Sequence, residues 1–569
     1  MLDTSNKTCR CIASLLVAHG VRDAVVSPGS RNAPLLMALS RQKQLNLISV
    51  VDERSAGFVA LGMAVTSGRP VALVCTSGSA LLNYGPAVAE AYYRRVPLIV
   101  ISADRPVEWI GQDDSQTIVQ PGALSGYVKR SYDLPADSEG RQMWYENRLV
   151  NDALITAISG RRGPVHINVQ IAEPINGLSD NRDDACDRVM NRVVSLIRPA
   201  TSFPTSEARA LGSTIASPVK VMIVAGFLPP DKTLNKAMLR LSNLPNFVVL
   251  TETISNLHGD RFISAIDAAL ASIPDDKRDR LKPDVVITTG GALVSRHIKQ
   301  YLRQTTLTAH WHVGEIDDTV DCLQQLSCRI EMPPAVFFSQ LASAMQPHKK
   351  DCDFARDWSV QKNRARSLTD SFGAQVEWSD FKAFATFIPK IPRNWNVHFS
   401  NGTSIRYAQI FGHHEYHRCE CNRGVSGIDG CTSTAVGGML AYRHGVTLLV
   451  SGDMSALYDL AGLTGGLFTA RFKMIIINNS GGGIFRFIGA TSELDIRENL
   501  LCCPSEINFA AVASSLGMAC FTASNEHELR EVFPVFSAES ERAALLVIST
   551  PAIDSADCLK DFFKFCKTR

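Results

Sequence analysis

Three short stretches in the last third of the chain carry residue types that suit a hard cation: Gly452-Asp453, Asn478-Asn479 and Gly481-Gly482-Gly483. Asp453 offers a carboxylate, and Asn479, twenty-six positions later, an amide oxygen. The apolar run 446–451 before Asp453 suits a buried parallel strand, 456–470 has helical length and spacing, and 473–477 reads as the next strand. Side chains at the ends of neighbouring parallel strands reach one crevice outside the carboxyl edge of the sheet. Mg²⁺ takes about six oxygen ligands and leaves several to water and phosphate. Asp453, Asn479 and a backbone carbonyl in the glycine run Gly481-Gly482-Gly483 would therefore make a metal and diphosphate site. Ser455 and Ala456, opening the helix, would turn N–H groups toward the phosphates. Taken singly, Gly-Asp is a capped turn and Asn-Asn-Ser-Gly a loop. Their order around one βαβ unit favours the metal.

The elements that would position these groups repeat through the chain. Runs 24–27, 47–52, 71–75, 98–102 and 165–169 are strand-like, with helical spans 33–40, 54–67 and 87–95 between the early ones. This predicts a mostly parallel sheet covered on both faces. Residues 176–218 turn polar, with an acidic patch at 180–187, and suit a linker. A second α/β unit follows, with strands at 219–225, 247–250, 285–289 and 310–313 and a closing helix at 333–346. A third runs from about 351 to the end. Three similar α/β units make a repeat at domain scale.

Composition narrows the function classes. The chain has 569 residues, 45% hydrophobic and 20% charged, with a formal charge of +2. That balance gives no electrostatic case for nucleic acid or a membrane surface as partner. No run approaches the ~18 apolar residues of a membrane span, and the apolar part of 11–18 is interrupted too soon for a signal peptide. The fifteen cysteines lack the spacing of a disulfide framework or a zinc site, so reduced thiols and a cytoplasmic enzyme are expected. No Gly-x-Gly-x-x-Gly fingerprint marks residues 218–346, so no FAD or NAD is expected.

Gly-Asp followed about twenty-six residues later by Asn resembles the thiamin-diphosphate (ThDP) enzyme superfamily. The likeness narrows at Ser27-Pro28-Gly29-Ser30-Arg31-Asn32, Asp52-Glu53-Arg54-Ser55, Thr76-Ser77-Gly78-Ser79, Ala103-Asp104-Arg105-Pro106, Asn422-Arg423-Gly424, Ser426-Gly427-Ile428-Asp429-Gly430 and Gly452-Asp453-Met454-Ser455-Ala456-Leu457-Tyr458-Asp459. Over nearly the whole chain it resembles the 2-succinyl-5-enolpyruvyl-6-hydroxy-3-cyclohexene-1-carboxylate synthases of menaquinone biosynthesis.

The resemblance implies three doubly wound, mostly parallel α/β domains of the ThDP-enzyme type: a pyrimidine-binding domain at 1–185, a central domain at 200–347 and a diphosphate-binding domain at 351–569. It implies ThDP with Mg²⁺, or Mn²⁺ in its place, and a homodimer or homotetramer with active sites between subunits. The implied reaction is decarboxylation of 2-oxoglutarate and conjugate addition of the succinyl carbanion to isochorismate. Glu53, which alone would read as a helix N-terminal acid favoured by the dipole, becomes the carboxylate beside N1′ of the aminopyrimidine. Ile428, with Gly427, would lie beneath the cofactor, and Ile484 and Phe485 would wall the thiazolium. Two dicarboxylate substrates demand fixed cations, and arginine grips carboxylates bidentately. Ser30, Arg31, Arg105, Gln116, Arg296, Arg406 and Arg423 are the implied substrate contacts. Gly402, where a serine is frequent, and Arg296-His297, where Lys-Arg is frequent, depart from the bacterial pattern. A related 2-oxoacid decarboxylase or acetohydroxyacid-synthase-like carboligase would share Glu53, Asp453 and Asn479 but not this arginine set.

Overall fold

The computed structural model describes residues 3–136, 141–173, 175, 177–179, 191–198, 201–315, 318–345, 352–412 and 415–569. The acidic patch at 180–187 lies outside them. The described chain forms two compact units. The first is Met1–Arg198 with Gly424–His444 and Tyr458–Phe468; the second is Pro199–Arg423 with Gly445–Leu457 and Thr469–Arg569.

The first unit is built on a six-stranded sheet of β1 (Asp23–Val26), β2 (Asn46–Ser49), β3 (Val71–Cys75), β4 (Leu98–Asp104), β5 (Ser131–Leu134) and β6 (Val165–Gln170). All pairings are parallel, in the order β2-β1-β3-β4-β6-β5. β3 and β4 are buried along their whole length, which is why they read as unbroken apolar runs rather than alternating ones. Helix Glu53–Ser67 packs against helix Cys431–Ala441 of the same unit. The two backbones approach so closely that a Cβ on Gly62 would lie 2.0 Å from the Thr434 carbonyl oxygen and one on Gly437 2.1 Å from that of Val59. Only glycine permits this contact.

The second unit holds two parallel sheets. One is β7 (Val221–Ala225), β8 (Phe247–Thr251), β9 (Val285–Thr289), β10 (Ala309–Val313) and β11 (Cys328–Ile330), ordered β8-β7-β9-β10-β11. The other is β12 (Asn396–Phe399), β13 (Arg418–Glu420), β14 (Thr447–Gly452), β15 (Phe472–Asn478), β16 (Ala519–Ala523) and β17 (Ala544–Ser549), ordered β13-β12-β14-β15-β17-β16. It repeats the strand order of the first unit's sheet. In each six-stranded sheet the chain reverses direction across the sheet after its first two strands, so β1/β3 and β12/β14 flank the switch points where open α/β sheets bind ligands.

Two expectations are corrected. Residues 456–470 are not one helix: a helix spans Asp453–Tyr458 and a single 3₁₀ turn Leu460–Leu463. The Asp459 carboxylate turns inward to accept hydrogen bonds from the Ser433 backbone N–H (2.6 Å) and hydroxyl (2.8 Å). Gly462 lies against Ser433, and Gly466 takes φ +63°. These tertiary contacts override helical spacing. The polar stretch 176–218 is not linker throughout, because helix Thr205–Thr214 forms there and Leu211 and Ile215 join the apolar core of β7–β9. The short strands β5 and β11 sit at sheet edges and are partly exposed, so neither announces itself as a buried apolar run.

Candidate active site

Asp453 opens the helix that follows β14, and Asn479 follows β15, its hydrogen-bonded neighbour, in a register that sets Gly452 opposite Ile477. Both side chains are buried. One Asp453 carboxylate oxygen accepts the Met454 N–H at 2.7 Å and the other the Gly481 N–H at 2.8 Å. Burial pushes this carboxyl up to about 6, while the Gly481 and Met454 N–H groups pull it back. A divalent cation would favour the charged form further. Gly481 adopts φ +109°, and a Cβ there would lie 2.4 Å from the Cys502 carbonyl oxygen. That residue must be glycine.

Two residues that no local sequence signal marked support this loop. Asn479 donates its amide N–H to Oδ2 of buried Asp380 at 2.8 Å, leaving its own amide oxygen for another partner. The buried Arg486 guanidinium donates to the carbonyls of Asn479 (3.2 Å) and Ser480 (3.0 Å) and pairs with Glu498 at 2.8 Å. A carboxylate, an amide oxygen and a glycine carbonyl are the hard oxygen donors Mg²⁺ takes when phosphates complete its shell. The residues fit a metal-bound diphosphate. Ser455 and Ala456 are buried in the first turn after Asp453. Ile484 and Phe485 are half-buried in helix Gly483–Phe487, and the Phe485 ring crowds the Cα of Gly482.

In the first unit, Glu53 is half-buried as the first residue of its helix, and Asp52 rather than Glu53 caps that helix by accepting the Ser55 N–H at 2.8 Å. The Cys75 thiol at the end of β3 is raised by burial first and by the negative charge of Glu53 second, which sets Glu53 beside the switch point. Ser30 and Arg31 follow β1. Ser30 is exposed, whereas Arg31 is buried, donating to the Ile171 carbonyl at 3.0 Å and pairing with the exposed Glu173 at 2.8 Å. Arg105, after β4, clasps the Ser115 carbonyl and the Asp114 carboxylate. Gln116 takes φ +60° and donates to the Ser77 carbonyl at 3.2 Å. A non-glycine residue in that conformation costs of order 1–3 kcal/mol and persists only where its surroundings enforce it.

A buried network holds this edge in place, and sequence reasoning missed it. Gln120 donates to the Asn168 amide oxygen (2.8 Å) and accepts the Gly78 N–H (2.8 Å). Asn168 donates to Asp104 and Asp133, each at 2.8 Å. Ser102 links Asn168 to His166. Burial raises Asp104 to about 6, hydrogen bonds from Asn168 and Arg105 lowering it in turn, and burial lowers His166 to about 4. Glu90, wholly buried, accepts the N–H groups of Gly424 and Val425, fixing the approach to Gly427 and Ile428, which are themselves half-buried.

The remaining arginines gather in the second unit. Arg406 lies on helix Thr403–Ile410, entered through Gly402 at φ +97°. It is lowered from its ordinary value first by burial, then by the positive charges of Arg296 and, more weakly, Arg423, with Asp267 opposing. Arg296, exposed, opens helix Arg296–Arg303. Arg423 donates to the Asn401 amide oxygen at 2.9 Å, and its buried Nε has no hydrogen-bond partner among the described residues. A guanidinium within the fields of two others suits a ligand bearing more than one carboxylate.

A family model described as "Thiamine pyrophosphate enzyme, N-terminal TPP binding domain" matches residues 6–123, and one described as "Middle domain of thiamine pyrophosphate" matches 216–383. With three parallel sheets, these matches define a ThDP enzyme. The chain is 38% identical to the 2-succinyl-5-enolpyruvyl-6-hydroxy-3-cyclohexene-1-carboxylate synthase of Porphyromonas gingivalis, over 99% of this chain and 97% of that protein. Proteins of the same name from Christiangramia forsetii and Bacteroides thetaiotaomicron are each 34% identical, over 98% of both chains. The chain belongs to this family of synthases.

Proposed function

We propose that this protein decarboxylates 2-oxoglutarate and joins the resulting succinyl unit to isochorismate, releasing CO₂ and 2-succinyl-5-enolpyruvyl-6-hydroxy-3-cyclohexene-1-carboxylate for menaquinone biosynthesis. The observation that supports the substrate assignment is the half-buried Arg406 guanidinium lying within the positive fields of Arg296 and Arg423, a cation set that a dicarboxylate would neutralise.

ThDP, when bound, supplies a thiazolium that stores the electron pair left by CO₂. Asp453, the Asn479 amide oxygen and the Gly481 carbonyl hold the Mg²⁺, or Mn²⁺, that anchors its diphosphate, and the N–H groups of Ser455 and Ala456 meet the phosphates. Glu53 would hold a proton at N1′ of the aminopyrimidine. Gly427, Ile428, Ile484 and Phe485 give the ring system an apolar bed that keeps water from the reacting carbon. Arg406 and Arg423, with Arg296, orient 2-oxoglutarate. Ser30, Arg31, Arg105 and Gln116 orient isochorismate. The enzyme acts in the cytoplasm as a homodimer or homotetramer with its active sites between subunits. Among the described residues no helix is long and apolar enough to cross a membrane, and no nucleic-acid partner enters this reading.

The division of labour is tested by single-turnover CO₂ release from 2-oxoglutarate. Losing one partner of a desolvated charge pair costs about 2–5 kcal/mol, tens to thousands of fold in affinity. Arg406→Ala should impair CO₂ release with isochorismate absent. Arg31→Ala should leave that step and block product formation. If both variants fail at the same step, the assignment is wrong.

A further inference from the structure

The amide of a metal-ligating asparagine can face its metal with oxygen or with nitrogen, and only the oxygen coordinates. Something must choose between them. In the second unit that choice falls to a residue ninety-nine positions earlier in the chain, Asp380. It is the first residue of helix Asp380–Phe387 and only 2% exposed. Its Oδ2 accepts the Asn479 amide N–H at 2.8 Å, and its Oδ1 accepts the Thr550 hydroxyl at 2.6 Å. Its own backbone N–H donates to the Ser555 hydroxyl at 3.0 Å, while the Thr550 N–H donates to the Asn478 carbonyl at 3.1 Å. The carboxylate is thereby fixed to the ends of β15 and β17, the strand pair that carries the ligand loop.

Burying a carboxylate is costly, and a threonine hydroxyl and a serine hydroxyl could be satisfied by a neutral side chain. What a carboxylate adds is that both its oxygens accept. Facing it, the Asn479 amide gives its nitrogen to the carboxylate, so its oxygen is the end left to take a cation. Arg486 holds the backbone of the same loop through the Asn479 and Ser480 carbonyls, so side chain and main chain are each oriented by a separate buried side chain.

We propose that Asp380 is the positioning residue of the metal centre, acting through Asn479 to present its amide oxygen to the cation. This rests on the reading that Asp453, Asn479 and Gly481 hold the metal. Outer partners of metal ligands are worth about 10–100-fold in metal affinity.

The test is a double-mutant cycle on the holoenzyme, reading Mn²⁺ affinity in the presence of ThDP by electron paramagnetic resonance of the free ion. Asp380→Ala is expected to weaken Mn²⁺ binding about 10–100-fold, and the loss is expected to vanish when Asn479 is already alanine. Asp380→Asn, which can still offer an acceptor, should lose less, and that smaller loss should also vanish in the Asn479→Ala background. The cycle is run with this variant where the alanine variant does not fold. Unchanged affinity in Asp380→Ala, or an equal loss with and without Asn479, overturns the proposal. Unchanged affinity in Asn479→Ala alone overturns the metal-site reading instead.

Discussion

The Gly481 N–H donates to Oδ2 of Asp453 across 2.8 Å, tying the loop after β15 to the residue that directly follows β14. The two chain segments that would share the cation are thus joined by a direct hydrogen bond, which keeps the Asp453 carboxylate aimed at the loop.

Gly481→Ala tests this link. At φ +109°, with the Cys502 carbonyl oxygen 2.4 Å from any Cβ, alanine should force the loop to move, at about 1–3 kcal/mol or more. Thermal unfolding of the apo protein should fall by several degrees, and ThDP retention on gel filtration should be lost. Asp453→Ala should also lose ThDP retention, because the anionic ligand is gone. Undiminished ThDP affinity in Asp453→Ala would remove that residue from the metal site.

Glu53→Gln keeps the shape of the side chain but removes its charge. The cofactor should still bind, while deuterium exchange at C2 of the thiazolium, followed by NMR after acid quench, slows by orders of magnitude. Near-normal exchange would place the proton-holding group elsewhere.

His166 gives the first unit a pH signature. Its folded-state value of about 4 lies below its ordinary value of 6.5, the cause being complete burial. Between those values the unfolded chain takes up a proton that the folded one refuses, so the stabilisation is full above pH 6.5 and is lost as pH falls toward 4. The gap corresponds to about 3 kcal/mol. Urea unfolding from pH 7 to 4.5 should show this loss, and His166→Gln should flatten it. An unchanged slope in that variant would assign the acid sensitivity to other groups.

Much of this architecture was legible in the chain because parallel strands buried on both faces are short apolar runs. β3 and β9 coincide with theirs end to end. Asp453 and Asn479 were legible for a related reason: each directly follows such a run, so position along the chain equals position at the sheet edge. Asp380 was not, since Ser379-Asp380 reads as an ordinary helix start and its partner Asn479 is distant in sequence. Gln120 and Glu90 were hidden likewise, their hydrogen bonds running to Gly78, Asn168 and Gly424 across tertiary space. The end of the helix at Tyr458 was hidden because Asp459 answers to Ser433, not to its neighbours.

The most direct measurement of the central claim is product analysis with ThDP, Mg²⁺, 2-oxoglutarate and isochorismate together and with each omitted in turn. The account predicts the succinyl-cyclohexene product only when all four are present, with little succinic semialdehyde when isochorismate is left out. Turnover of 2-oxoglutarate to free succinic semialdehyde as fast without isochorismate as with it would contradict a carboligase and leave a simple decarboxylase.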